Sequence, residues 1–311
     1  MKEVILPKGV DIEAETISFS FIHELFFAST VGLGSSWYDQ RNFAEGEIIR
    51  DVRYEQYLPE GVSFNEWVNL LGVDVESLEH AHLTHMLARS FLHHCVQPPL
   101  SWKGKIAKSA HFSRQEQEII LLATIVHDWG EMLVGDKPYP SKTSADELEE
   151  ADAQRRIIRD RFSERQSPIF WKKLNQAFEI ANNCDSKLGR AFNAIEKLGY
   201  LRTGIVAWRR SRQTEIEKRV ELSAYLQWLA TEVLTNHLPK LLEYAGIYPP
   251  VSGYLTDMRP LISDIFEKAP DSIFEKYPEE ERDFKKARFE EAKEWWLEFL
   301  EESAKRTSGL G

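Results

Sequence analysis

The sequence predicts an all-α protein. Capping boxes open segment after segment, apolar residues recur at helical spacing, and no stretch shows the strict alternation and turn dipeptides of a hairpin. In a capping box a Ser or Thr side chain accepts from the backbone N–H three residues on, and a Glu there reaches back. Ser63/Glu66, Ser113/Glu116 and Ser144/Glu147 fit this pattern, and Ser167-Pro168 offers a start with Pro at the first helical position. Helices are expected near 13–30, 42–57, 64–71, 75–96, 114–126, 129–134, 145–164, 168–183, 185–198, 214–245, 258–268 and 280–304, with 168–198 open to being one helix. Breaks are expected at 97–112, 137–143 and 245–254, where Pro, Gly and Lys gather. The last helix is charged and amphipathic, as a terminal helix with one solvated face should be.

Composition narrows the class. With 311 residues, 42% of them hydrophobic, the chain can bury a sizeable core. A net charge of −11 argues against an extended nucleic-acid surface, which needs a basic face. The two cysteines, Cys95 and Cys184, form no CxxC pair, so reduced thiols and a cytoplasmic setting are expected. Cys184 is expected to be a buried small hydrophobe rather than a nucleophile. The start, MKEVILPKGVDIEAE, has no sustained apolar stretch of the signal-peptide kind. The longest uncharged run, from Leu25 to Tyr38, falls short of the roughly 20 apolar residues of a membrane span.

Chemistry concentrates in ATIVHDWGEMLVGD, residues 123–136. An apolar helix there carries His127, Asp128, Glu131 and Asp136. Neighbouring residues on a helix point about 100° apart, so His127 and Asp128 can share one ion only where the helix ends or bends, and Gly130 supplies a bend. Imidazole nitrogen and carboxylate oxygen suit a borderline or hard divalent cation. Two ligands are too few. Upstream, LEHAHLTHMLARSFLHHC (78–95) holds five histidines. Projected on a helix, His80 falls in the middle of the face carrying Leu83, Thr84, Leu87, Phe91 and Cys95, whereas His82 and His85 fall nearly opposite. His80 is therefore the favoured ligand, with His82 or His85 as the alternatives. Asp185 lies among Phe178, Ile180, Ala181, Leu188, Ala191 and Phe192, where a carboxylate is costly unless coordinated or paired with Lys187 or Arg190.

The set His80…His127-Asp128…Asp185 resembles the H…HD…D signature of the HD-domain superfamily of metal-dependent phosphohydrolases. HDWGEMLVGD is similar to the HDxxExxxGD stretch of its 5′-deoxynucleotidase branch, and EHAHLTHMLARSF to that branch's EHSxxVAxxAxxL helix. The likeness covers roughly 75–200, leaving 1–74 and 201–311 as N- and C-terminal helical extensions and 97–112 as an insertion. It implies one divalent metal, whether Mn, Co, Mg, Zn, Ni or Fe, held by His80, His127, Asp128 and Asp185. It also implies that Glu131 and Asp136 handle the attacking water and the leaving oxygen. No His lies between His127 and His237, so the extra ligands of dinuclear relatives are missing and a mononuclear site is favoured. Met132 follows Glu131, unlike the Glu-Asp pair of the (p)ppGpp hydrolases.

The expected substrate is a nucleotide phosphate ester, a (deoxy)nucleoside 5′-monophosphate first. The alternatives are triphosphohydrolase or phosphodiesterase activity, or a non-catalytic nucleotide-binding HD module. Lys137, Lys187 and Arg190 are the candidate phosphate-binding residues. The segment LRTGIVAWRRSR is a weaker candidate, read first as a solvated helix surface. Association with a second copy is left open, and no membrane partner is expected.

Overall fold

The structure is a computed structural model that describes residues 54, 57–71, 77–95, 111–130, 134, 142–161 and 168–307. Among them every element is helical and no strand occurs. In chain order the α-helices are α1 (Phe64–Leu71), α2 (Ser77–His94), α3 (Arg114–Val126), α4 (Ser144–Arg161), α5 (Pro168–Asn182), α6 (Lys187–Ser211), α7 (Thr214–Glu217), α8 (Val220–Ala245), α9 (Pro249–Asp257), α10 (Arg259–Lys268) and α11 (Arg282–Thr307). Two 3-10 turns, Asp271–Lys276 and Glu279–Glu281, precede α11. The helix expected at 13–30 and most of that at 42–57 lie outside the described residues, as does nearly all of the 97–112 insertion; of the helix expected at 129–134, residues 129–130 belong to a turn and 131–133 lie outside the described residues.

The helix starts follow the caps, with one correction. Ser113 and Glu116 form a complete capping box on α3, and the N–H of Glu66 donates to Ser63 Oγ at 3.3 Å. At α4 the pair is Thr143 and Asp146, one residue earlier than expected. Thr143 N–H donates to Asp146 Oδ2 at 2.8 Å, and Asp146 N–H returns the bond to Thr143 Oγ1 at 3.3 Å. The shorter Asp reaches the cap that Glu147 was expected to supply. A second correction concerns 245–254. The expected break is confined to residues 246–248, and Pro249 and Pro250 open α9, where a missing N–H costs nothing. A third concerns α6, which continues to Ser211 because Leu198, Leu201, Ile205 and Trp208 stay buried along it.

Two compact units make up the chain. Among the described residues the first holds 77–88, 112–130, 134, 142–161 and 168–193, and the second 54, 57–71, 89–95, 111 and 194–307. In the first unit α3 packs along α5, joining Ile119, Ile120, Leu122 and Ala123 to Leu174, Ala177 and Phe178 as its core. At the edge of this core Lys173 Nζ donates to Glu118 Oε2 at 2.7 Å.

The second unit is built around α8. Gly204 of α6 meets it so closely that a Cβ there would lie 2.8 Å from Val233 Cγ1. Buried Ser223, Gln227, Thr231 and Thr235 form a polar ladder along α8, four residues apart. Gln227 Nε2 donates to Ser223 Oγ at 3.3 Å, Thr231 Oγ1 to Gln227 O at 3.0 Å and Thr235 Oγ1 to Thr231 O at 2.8 Å. Pro239 continues the same spacing.

A different kind of polar group stands beside the ladder. Glu232, 4% exposed, receives Lys285 Nζ at 2.9 Å, Asn236 Nδ2 at 3.0 Å and the Tyr277 hydroxyl. This ties α8 to α11 and to the 3-10 region between them. Around it, Trp208 Nε1 donates to Asp264 Oδ2 at 2.8 Å and Trp296 Nε1 to Ser263 Oγ at 3.0 Å. Among the described residues, no helix is long and apolar enough to cross a membrane.

Neither cysteine is in a disulfide. Cys95 is buried, and burial pushes its thiol up to about 12. Cys184 is exposed on the turn between α5 and α6, which corrects the expectation that it is buried. A thiol reagent at pH 8 should modify Cys184 in the native protein and reach Cys95 only after denaturation, as mass spectrometry of the labelled peptides would read. Glu232→Ala should lower the unfolding free energy by about 3 kcal/mol in urea titrations, because it leaves the Lys285 ammonium buried without its counter-charge.

Candidate metal centre

Helix α3 ends where the chemistry begins. Its C-cap is His127, whose N–H still donates to Ala123 O at 3.0 Å, and residues 127–130 form a turn. His127 keeps helical dihedrals (φ −60°, ψ −37°), and at this helix end its side chain and that of Asp128 approach each other. Asp128 Oδ2 lies 3.3 Å from His127 Nε2 and 3.8 Å from His80 Nε2. The two imidazole rings stand 5.1 Å apart, tilted by 53°. His80 is fully buried, and the Asp128 side chain is 16% exposed.

Two of the separations can be set against those of ligands that share a cation. Nitrogen and oxygen ligands each about 2.0–2.2 Å from one ion lie about 3–3.6 Å from each other. The measured separations are at or just beyond that range, and two imidazoles with a carboxylate suit a divalent ion of borderline character.

Surrounding contacts hold the three groups in place. The Thr84 hydroxyl, one turn after His80 on α2, is 3.5 Å from His80 Nε2. The ring of Phe192 on α6 stands edge-on to His127 at 5.3 Å. Behind the turn, the buried side chain of Gln154 on α4 donates to Val126 O, the last carbonyl of α3. Gly130 closes the clamp from the other end. A Cβ there would fall 2.3 Å from the backbone oxygen of Glu150, so only glycine lets the turn approach α4 this closely. Trp129, 1% exposed, anchors the turn between these two points.

His85 is buried too, at 3% exposure. It does not lie on a solvent-facing side of α2, as the projection suggested. Its Nδ1 is 3.0 Å from Thr124 Oγ1, which itself donates to Leu121 O, so the ring nitrogen is the donor in that contact. His85 thus braces α2 against α3, and His80 is the histidine at Asp128.

The remaining candidates are placed differently. Asp185 is exposed, on the turn that Asn183 and Ser186 shape before α6, rather than buried among apolar side chains. Arg190 reaches back to Asp185 O, and among the described residues no hydrogen bond or ion pair joins the Asp185 carboxylate to His80, His127 or Asp128. Lys187 is paired with Glu116 at 2.7 Å and lies over the Phe112 ring at 5.0 Å. The Lys187 ammonium holds the Glu116 carboxyl below the usual carboxylate range. Glu131, Asp136 and Lys137 lie outside the described residues.

Two residues went unnoticed in the sequence. Gln154 acts across a long separation that no local pattern marks. Glu196 follows Phe192 by one turn of α6 and shares its face. Its signal was present, a half-buried carboxylate at i+4 from a core aromatic. Tyr200 OH donates to Glu196 Oε1 at 3.3 Å.

Gly130→Ala should cost about 1–3 kcal/mol of stability through overpacking and lower metal affinity at the same time, since the turn must move away from Glu150 to admit the methyl group. Thermal unfolding with and without added Mn²⁺ would measure both effects; an unchanged metal response would show that the turn does not position the ligands.

No family model matches the sequence, and neither a curated protein nor a solved structure matches it.

Proposed function

We propose that the protein is an HD-type phosphohydrolase that uses one divalent cation to cleave a phosphate ester of a nucleotide, a (deoxy)nucleoside 5′-monophosphate first. The observation that supports it is the approach of two Nε2 atoms, from His80 on α2 and His127 at the end of α3, to one oxygen of Asp128. His80, His127 and Asp128 would hold the ion. Asp185, implied by the H…HD…D resemblance, would be the further carboxylate ligand. A divalent ion at such a site neutralises phosphoryl charge and makes water acidic enough to attack near neutral pH.

The chain's own groups would do the rest. Gln154 and Gly130 keep Asp128 aimed while charge builds on the substrate. Glu131, from the HDWGEMLVGD stretch, would accept the proton of the attacking water, and Asp136 would return one to the leaving oxygen. Two carboxyl groups in one site can be pushed to different pKa values, which permits the two opposite roles. Reduced thiols fit a cytoplasmic setting for such an enzyme.

Metal analysis of the purified chain, followed by a screen of phosphate esters with Mn²⁺, Co²⁺ and Mg²⁺, tests the reading. Bound metal without turnover of any ester would favour the non-catalytic nucleotide-binding module. His127→Ala should lose metal and activity together. Glu131→Gln should keep both metal and fold while kcat falls by about 10²–10⁴-fold, the usual range for a lost acid–base group. Full activity in that variant would remove Glu131 from the mechanism. Metal content in Asp185→Ala tests whether that carboxylate is a ligand.

A further inference from the structure

The first unit carries a groove of about 390 Å³, bounded by α3, α5 and the first turn of α6. Its floor is apolar. Ile119 of α3 and Ile180 of α5 are buried beneath it, and Leu188 of α6 completes it. The volume falls within the roughly 300–1,000 Å³ of small-molecule sites, which pair such a floor with a few polar groups. Here the polar groups stand on the rim. Gln176 and Glu179 share with Ile180 one face of α5, and Gln115 stands on α3.

Three charges line the groove, and two of them are spent on each other. Lys187 Nζ lies 2.7 Å from Glu116 Oε1. Glu179 remains, and among the described residues no cation or hydrogen-bond donor pairs with its carboxylate. Lys173 of the same helix is committed to Glu118 at 2.7 Å. Lys172 precedes Glu179 by seven residues, about 10 Å of helix, where physiological salt screens the attraction. The groove therefore has one negative charge in excess. The start of α6 opposes it with about half a positive charge, confined to the first turn and partly met there by Ser186 Oγ, which accepts from the Gly189 N–H at 2.9 Å. The amides of Gln115 and Gln176 make no hydrogen bond among the described residues, so their carbonyls are open to a donor. An alkylammonium matches this rim, with three N–H donors and one positive charge, and an apolar stem matches the floor.

We propose that this groove binds a small amine carried on an apolar chain or ring, with the apolar part on Ile119, Ile180 and Leu188 and the ammonium at Glu179. None of these residues is a proposed metal ligand or acid–base group, so the site stands or falls apart from the hydrolytic reading. Saturation-transfer NMR of the full chain at pH 7 tests it with three probes of one length: n-hexylamine, hexan-1-ol and hexanoate. Hexylamine should bind, hexan-1-ol about fivefold more weakly and hexanoate more weakly still. Glu179→Gln alters an exposed side chain; it should weaken hexylamine about fivefold, the upper end for an exposed ion pair, and leave hexan-1-ol unchanged. Gln176→Trp fills the groove from its rim and should abolish binding of both, with the fold checked by circular dichroism. The proposal is overturned if hexan-1-ol or hexanoate binds wild type as tightly as hexylamine, or if hexylamine does not bind wild type. Equal hexylamine affinity in wild type and Glu179→Gln, or in wild type and a folded Gln176→Trp, would overturn it as well.

Discussion

Everything at the candidate centre depends on helix α3 stopping at Val126. His127 is the C-cap of that helix, and the turn of residues 127–130 that follows is where His80, His127 and Asp128 meet. Fixing a turn costs roughly 1–2 kcal/mol of backbone entropy per residue. The protein offsets this with three separate restraints: the Gln154 amide on the last carbonyl, the burial of Trp129, and the approach of Gly130 to the α4 backbone. None of the three is a metal ligand or carries charge. The geometry of the charged groups is thus set by neutral neighbours.

The second unit follows a different plan. Its centre is a single long helix, α8, whose buried surface includes hydroxyls and an amide as well as leucines. The close pass of Gly204 brings α6 against this helix, and that pass is what stands Tyr200 on His237 and Lys197 beside it. A side chain at 204 would separate the helices and loosen all three.

Legibility in the sequence tracked the range of the interaction. Helices α1 and α3 appear at the residues their caps and apolar spacing marked, since both signals are local. The shift of the α4 cap from Ser144 to Thr143 shows the limit of that rule: two hydroxyl residues stood side by side, and Asp146 decided between them. Prolines 249 and 250 carry both meanings, break and start, and only the packing of Val251 and Leu255 chooses the second. His80 lies on the buried face that a helical projection assigned to it. His85 was misplaced because a projection cannot see that a helix is covered on two sides. Asp185 and Cys184 were judged buried from their apolar neighbours, but Ser186 starts a new helix and the two fall on the joint before it. Gln154 was not legible at all, because its partner is 28 residues away.

The ladder on α8 and the Glu232 group are both buried polarity, yet they constrain inheritance differently. Each hydroxyl of Thr231 and Thr235 bonds a carbonyl of its own helix that already serves the backbone ladder. Exchange of either for valine leaves no orphaned group, so such positions are free to drift one at a time. Glu232, Tyr277 and Lys285 come from three elements and satisfy one another. A change at Glu232 strands both of the others, so in divergent versions of this chain Glu232 should turn over only together with Tyr277 and Lys285.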